Sequence, residues 1–201
     1  MQSSSLKITA LLTGRGNNTF PDKNILPVLG KPLLAYPCEA VKQSAHVQDF
    51  WVSSECDKIL KAAGDCGFSK IRRPTAFSLP TAQHEDVIDH AVQFLEERGE
   101  KPNILVVLLA NSVTVKTAWI DQCIAHLLES DEVTASVPVY KNIEHHPYRA
   151  KRVNEKGYLV PFFDFKGQKV STNRQDLDPS YFLSHNFWVL HLDRINKRTG
   201  L

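Results

Sequence analysis

The sequence predicts an α/β protein built on a largely parallel sheet. Three observations carry that prediction. Short apolar runs alternate along the chain with amphipathic stretches of helical spacing. Residues 104–110 are apolar on consecutive positions, as expected of a central strand covered on both faces. A polar loop containing two glycines follows the first apolar run, and open α/β sheets collect ligands at such strand ends.

The strand candidates are residues 7–13, 49–53, 104–110 and 134–140. The helical candidates are residues 37–44, 57–66, 83–98 and 117–130. Pro32 and Pro37 disturb the first helix, because an internal proline loses an N–H bond and clashes with the preceding turn. A turn near Pro32 and a helix starting close to Pro37 are expected. After Tyr140 the character changes. Residues 149–153 and 158–163, joined at Lys156-Gly157, read as a hairpin whose flanks hold Phe162, Phe163 and Phe165. Such a hairpin is either a dimer arm or a ribbon folded onto its own core.

The chain of 201 residues fits a single domain with a sizeable core. A hydrophobic share of 42% and a charged share of 23% are those of an ordinary globular protein. A net charge of +2 with scattered basic residues gives no reason to expect nucleic-acid binding. The longest apolar run is too short for a bilayer, and the N-terminus lacks the layout of a secretory signal. The expectation is a cytoplasmic protein without a membrane partner. Cys38, Cys56, Cys66 and Cys123 show no Cys-x-x-Cys spacing, which argues against a zinc ribbon. Cys56 and Cys66 are open to a disulfide, but the composition favours four reduced thiols.

Residues 6–24 hold the most chemistry. Gly14 and Gly16 lack a Cβ, so the backbone there can approach a ligand closely. Arg15 and Lys23 add cations to a loop of N–H groups, a combination suited to a triphosphate. The loop is neither a Walker loop nor a dinucleotide fingerprint, and the same spacing serves an ordinary strand-to-helix connection. Arg73 in Arg72-Arg73-Pro74 reads from its residue type as a surface cation. His145 and His146 are adjacent, and on a strand would point to opposite faces. Asp86 and His90 lie four apart on a helix and are a weak metal candidate.

Arg15-Gly16, Phe20-Pro21-Asp22-Lys23-Asn24 and Gly30-Lys31-Pro32-Leu33 resemble the opening of the acylneuraminate cytidylyltransferases, the CMP-sugar synthetases of sialic-type acids. The resemblance continues at Arg72-Arg73-Pro74, from Leu108-Leu109 to Lys116-Thr117, and at His145-His146-Pro147-Tyr148. It ends with Arg174-Gln175-Asp176-Leu177 and His185-Asn186. It implies a three-layer, Rossmann-like nucleotide-diphospho-sugar transferase fold with a mostly parallel sheet and a small β-hairpin dimerisation arm at about residues 141–185. It also implies a homodimer that joins CTP to an acidic nine-carbon sugar with Mg²⁺, releasing pyrophosphate. Arg15 and Lys23 take catalytic roles by the same likeness. Arg15, Gly16, Asn17, Lys23, Arg73 and Asn111 form the nucleotide set, and Arg174, Tyr181 and Asn186 the sugar set.

The chain departs from the family pattern in several places. Ala110 stands where the family's glutamine recognises the cytosine edge, and strand alternation would aim the neighbouring Asn111 elsewhere. Asn17-Asn18-Thr19 replaces the family's Ser-Lys, with one residue fewer. Phe187 replaces a glycine, which tightens the expected sugar pocket. The family's late carboxylate pair, which is expected to hold Mg²⁺, lies past the segment corresponding to His191; Asp193 precedes it, and no metal ligand is assigned. The expectation is a shortened or altered form with weak nucleotide binding. A non-catalytic nucleotide- or sugar-binding relative and a 3-deoxy-octulosonate cytidylyltransferase are the alternatives.

Overall fold

In the computed structural model, which describes residues 6–16, 20–142, 144–167, 169–171 and 173–195, the predicted alternation becomes a sheet between helices. Strand β1 (Ile8–Thr13) is followed by a two-residue-per-arm ribbon, β2 (Pro27–Val28) and β3 (Lys31–Pro32). The ribbon turns at Leu29 and Gly30, whose φ of 47° and 85° are both positive, as a tight hairpin of this hand requires. Helix α1 (Ala35–Lys42), strand β4 (Asp49–Ser54), helix α2 (Asp57–Asp65) and strand β5 (Ser69–Arg72) come next. Then follow α3 (His84–Glu97), β6 (Ile104–Leu109), α4 (Thr117–Leu128) and β7 (Ala135–Ser136).

The chain divides into two compact units, and Val139–Ser184 is the smaller one. It contains β8 (Val139–Lys141), β9 (Lys151–Val153), β10 (Leu159–Pro161) and β11 (Tyr181–Leu183). β9 pairs with β10, and β8 with β11, both antiparallel. The β9–β10 turn has Gly157 at φ 79°, where the sequence placed it. The chain then returns to the larger unit as β12 (Phe187–His191).

The main sheet has the order β5-β4-β1-β6-β12-β7. The four strands β5, β4, β1 and β6 run parallel, while β12 is antiparallel to both neighbours. Strand β6 divides its side chains between two apolar layers, because successive residues point to opposite faces. Ile104, Val106 and Leu108 join the layer that includes Ile59, Ile120 and Ile124 of α2 and α4. Leu105 and Val107 join Leu11, Ile71, Ala91 and Leu95 on the α3 side. That is the three-layer arrangement expected from a strand apolar on consecutive positions.

Register is what positions the site. Thr13 lies opposite both Ser53 and Leu109, and Ser54 opposite Arg72. Four strands therefore end together, and their following loops share one edge.

Some expectations shift. Helix α1 begins at Ala35, and Pro37 sits inside its first turn, where the N–H has no helical partner to lose. Residues 134–140 are not one strand. They break at Pro138 into β7 and β8, which belong to different units. β5 and β12 were not foreseen as strands. His145 and His146 lie in a turn leading to a short 3₁₀ segment, not on a strand.

Candidate functional site

At the shared strand edge the larger unit has a cleft of about 290 Å³. Arg15 and Lys23 line it from the first loop, Arg73 from the end of β5, Gln83 and His84 from the start of α3, and Asn111 from beyond β6. Phe77, Leu79 and Val87 supply apolar wall. A cation-bearing loop beside an apolar wall with amide and imidazole groups suits a ligand with a polyanionic tail and a flat polar head.

The loop is built from the sheet outward. Gly14 N–H donates to Ser53 O at 3.3 Å, and Ala110 N–H donates to Thr13 O at 2.9 Å. A Cβ on Gly14 would come within 3.0 Å of the Ala110 Cβ, and one on Gly16 within 2.8 Å of the Cys56 Cβ. Both glycines are thus demanded by packing against neighbouring loops as well as by any ligand. Buried Asn24 donates from Nδ2 to Arg15 O at 3.0 Å, and its own carbonyl accepts from Leu34 N–H at 2.9 Å. This fixes the short 3₁₀ turn Lys23–Ile25, and with it Lys23, beside the loop.

Arg73 is no surface cation. It is 5% exposed and ion-paired to Glu55 at 3.1 Å. Burial, partly offset by the Glu55 charge, lowers its pKa from the usual arginine value. Burial pushes the Glu55 carboxyl up. Hydrogen bonds from Ser78 and the Gly16 amide, with the Arg73 charge, outweigh that and hold it below the ordinary range.

His84 was missed by sequence reasoning. Thr13 Oγ1 donates to Leu108 O at 3.2 Å, which uses its one proton. The His84 Nε2 at 2.9 Å must therefore be the donor to Thr13, which assigns the tautomer. Burial first, then the Arg73 charge, lowers the imidazole pKa and keeps the ring neutral. Its ring also packs 5.6 Å from that of Trp188. The available signal was position: a polar residue at a helix start, at the carboxyl end of a parallel sheet.

The predicted residues separate into groups. Arg15, Lys23, Arg73 and Asn111 line one cleft, so Asn111 does face it, while Ala110 is 1% exposed and packs inward. Gly16 belongs to the same loop. Asn186 lies at the same strand edge, its carbonyl accepting from Leu109 N–H at 3.4 Å. Tyr181, 62% exposed on β11, and the backbone of Arg174 in a 3₁₀ turn belong to the smaller unit. Asn17 lies outside the described residues.

The metal candidates do not converge. Asp86 caps α3 by accepting from Gln83 N–H at 3.3 Å, and His90 packs 5.4 Å from the Phe77 ring. His146 Nδ1 accepts from Tyr148 N–H at 3.1 Å, leaving Nε2 to donate to Asp178 O at 3.1 Å. Asp193 follows β12 past His191, which is opposite Ile104, so it sits at the far end of the sheet and accepts from Asn103. Among the described residues no three His, Cys, Asp or Glu side chains gather for a metal. All four cysteines are free thiols. Burial, and then the neighbouring Cys66, pushes the Cys38 thiol well up.

A larger depression of about 560 Å³ lies along α2 and β5. Its Lys58, Lys61 and Arg72 pair with Asp22, Asp65 and Asp57, which marks it as a solvated charged face.

The chain belongs to the cytidylyltransferase family, whose model matches residues 15–158. It is similar to N-acylneuraminate cytidylyltransferases of Streptococcus agalactiae. The serotype III (strain NEM316) protein is 26% identical over 174 residues, which are 83% of this chain and 39% of that protein. The serotype V (strain ATCC BAA-611 / 2603 V/R) protein is 25% identical over the same shares. The chain thus spans about 39% of the length of the curated relatives it matches. Among solved structures, a CMP:2-keto-3-deoxy-manno-octonic acid synthetase complexed with CTP aligns with a TM-score of 0.66 at 16% identity. That alignment covers 94% of this chain and 75% of the other. The 4-diphosphocytidyl-2C-methyl-D-erythritol synthase of Anaerococcus prevotii DSM 20548 aligns with a TM-score of 0.61 at 10% identity, over 94% and 71%. At these identities the two structures bear on the fold alone. No helix among the described residues is long and apolar enough to cross a membrane.

Proposed function

We propose that the cleft binds CTP and that the protein activates a nonulosonic, sialic-type acid, giving a CMP-sugar and pyrophosphate. The observation that carries this reading is the meeting of Arg15, Lys23, His84 and Asn111 in one strand-end cleft of a cytidylyltransferase-family chain. The anomeric hydroxyl of the sugar attacks the α-phosphorus. One P–O bond forms to the sugar, one breaks to pyrophosphate, and the hydroxyl proton leaves to solvent. Arg15 and Lys23 stabilise the negative charge that builds on the phosphate oxygens. Asn111 and His84 face the head group, taking the place of the side chain that Ala110 lacks. Arg174, Tyr181 and Asn186 are the proposed sugar contacts, since an acidic polyhydroxyl ligand needs a cation and paired polar groups. Mg²⁺ enters as part of the nucleotide substrate, and no step is assigned to a protein-held ion.

The test supplies CTP and Mg²⁺ with a nonulosonic acid or with a 3-deoxy-octulosonate and measures pyrophosphate. Release dependent on the nine-carbon acid supports the proposal; release with the octulosonate alone moves the substrate. CTP binding without release with either sugar supports a second reading, a non-catalytic nucleotide-binding relative. The inward packing of Ala110, which removes one head-group contact, favours that reading.

A further inference from the structure

Every peptide group that flanks Arg15 is held by a side chain beneath the loop. Gly14 O accepts from an Arg73 terminal nitrogen at 3.0 Å. Arg15 O accepts from Asn24 Nδ2 at 3.0 Å. Gly16 N–H donates to Glu55 Oε1 at 2.7 Å. Arg73 and Glu55 are themselves joined at 3.1 Å, and buried Ser78 closes the network. Its Oγ accepts from Arg73 Nε at 3.0 Å and donates to Glu55 Oε2 in a short hydrogen bond. The donor count closes: the one Ser78 proton goes to the carboxylate and a lone pair faces the guanidinium.

We infer that Glu55 and Arg73 are positioning residues that preset the 14–16 loop and aim Arg15, and are not themselves phosphate ligands. The inference rests on the proposed reading of the cleft as a nucleotide site. Two facts separate it from a contact role. Arg73 spends its Nε and one terminal nitrogen on Ser78, Gly14 and Glu55 while 5% exposed. The Gly16 amide, which sequence alone offers as a phosphate donor, already faces a carboxylate, and a phosphate oxygen there would meet like charge at hydrogen-bond range. Fixing both peptide planes around Arg15 before the ligand arrives removes ordering entropy from binding. The Glu55–Arg73 pair follows from topology. β4 and β5 are sheet neighbours, so the residues just past their ends meet across a gap of seventeen residues in the chain.

The experiment uses wild-type protein labelled with ¹³C and ¹⁵N, in which the Gly16 amide is assigned through its sequential connection to Arg15. In the wild type the Gly16 amide proton resonates downfield and exchanges slowly, as a charge-assisted bond requires. In Glu55→Gln it moves upfield and exchanges faster, and CTP–Mg²⁺ binds about tenfold or more weakly at a melting temperature showing a folded protein. Glu55→Gln leaves Arg73 buried without its counter-charge, so Ser78→Ala, which keeps both charges, is the second variant. It shifts the same resonance and weakens CTP to a smaller degree. A wild-type Gly16 amide that exchanges like an exposed one overturns the clamp. Variants that lose the signature yet bind CTP as the wild type does overturn its positioning role. Inorganic tripolyphosphate separates the two readings. A wild-type protein that binds it but not CTP sinks the nucleotide proposal and leaves the clamp standing. One that binds neither sinks both.

Discussion

Arg15 and Arg73 are arginines on loops at the same sheet edge, yet their surroundings give them opposite duties. Arg15 is half-buried in a cleft wall, and under the proposed reading its removal takes a charge from the ligand. Arg15→Ala is therefore expected to weaken CTP binding about 10- to 100-fold, the equivalent of about 1.5–3 kcal/mol, with an unchanged melting curve. A titration that matches the wild type would remove Arg15 from the site. His84 yields a pH dependence whose sign is fixed. Its pKa is lowered from the ordinary 6.5 by burial and then by Arg73. The unfolded chain therefore takes up a proton before the folded one does, and stability falls as pH drops below about 6.5. His90, lowered by burial and Arg73, and His191, lowered by burial and Arg194, act in the same window. Glu55 acts lower: its depressed pKa gives stability that is present above its ordinary 4.5 and is lost as pH falls through its folded value. Melting temperature should thus decline between pH 7 and 5, and less steeply in His84→Gln, which keeps a donor for Thr13. An identical slope in that variant would show that His84 is not the group responsible. The surroundings of His84, Glu55 and Arg73 were not legible in the sequence. Residue type made Arg73 a surface cation, and only the Glu55 partner, delivered by a neighbouring strand, makes its burial tolerable. The placing of Arg15 and Lys23 on the loop after β1 was legible because that loop follows a recognisable strand, whereas alternation aimed Asn111 away from the cleft it lines.

The elements were legible where their own residues determine them. β1, β4 and β6 are apolar runs, and α3 shows as an amphipathic stretch of helical spacing. The break at Pro138 and the strand β12 depended on partners far along the chain: Val189 and Leu190 pair with Ser136 and Ala135. The same limit applies just past the end of β6. Alternation predicted that Asn111 would be misaimed. The strand ends at Leu109, however, and the turn that follows lets Asn111 face the cleft while Ala110 packs inward. Restoring the family's amide is therefore expected to fail. Ala110→Gln adds four heavy atoms at a site 1% exposed, where the Cβ already lies 3.0 Å from the position a Gly14 Cβ would take. Overpacking costs about 1–3 kcal/mol, and a buried amide without a partner adds a similar amount. Ala110→Gln should melt several degrees lower and bind CTP no more tightly. Tighter CTP binding at wild-type stability would mean that position 110 can reach the cleft after all.

At the scale of the whole molecule the apolar side chains are distributed unevenly. Among the described residues, none of the buried hydrophobic ones falls within Val139–Ser184. Ten of the seventeen exposed large apolar residues among those described do, including Tyr158, Leu159, Phe162 and Phe163. Tyr148, Phe163 and Phe165 meet edge-on or tilted, with centroids 5.4–6.4 Å apart, yet Phe163 remains 43% exposed. A unit of this size has too little interior to offset the entropy of ordering it, and paired two-stranded ribbons alone are marginal in water. Exposed aromatic side chains gathered in one unit are the kind of surface that marks an interaction site. A second copy of the chain resolves both difficulties, because a self-complementary patch is buried twice by one symmetric contact. Sequence suggested this arm from its phenylalanines, and the absence of a buried apolar core within it is the stronger argument. The protein is expected to be a dimer by light scattering at micromolar concentration. Replacing Leu159 and Phe162 with serine should yield monomers whose larger unit still melts cooperatively. A wild-type monomer at high micromolar concentration would defeat the arm model. So would a double variant that remains dimeric, since the contact would then lie elsewhere.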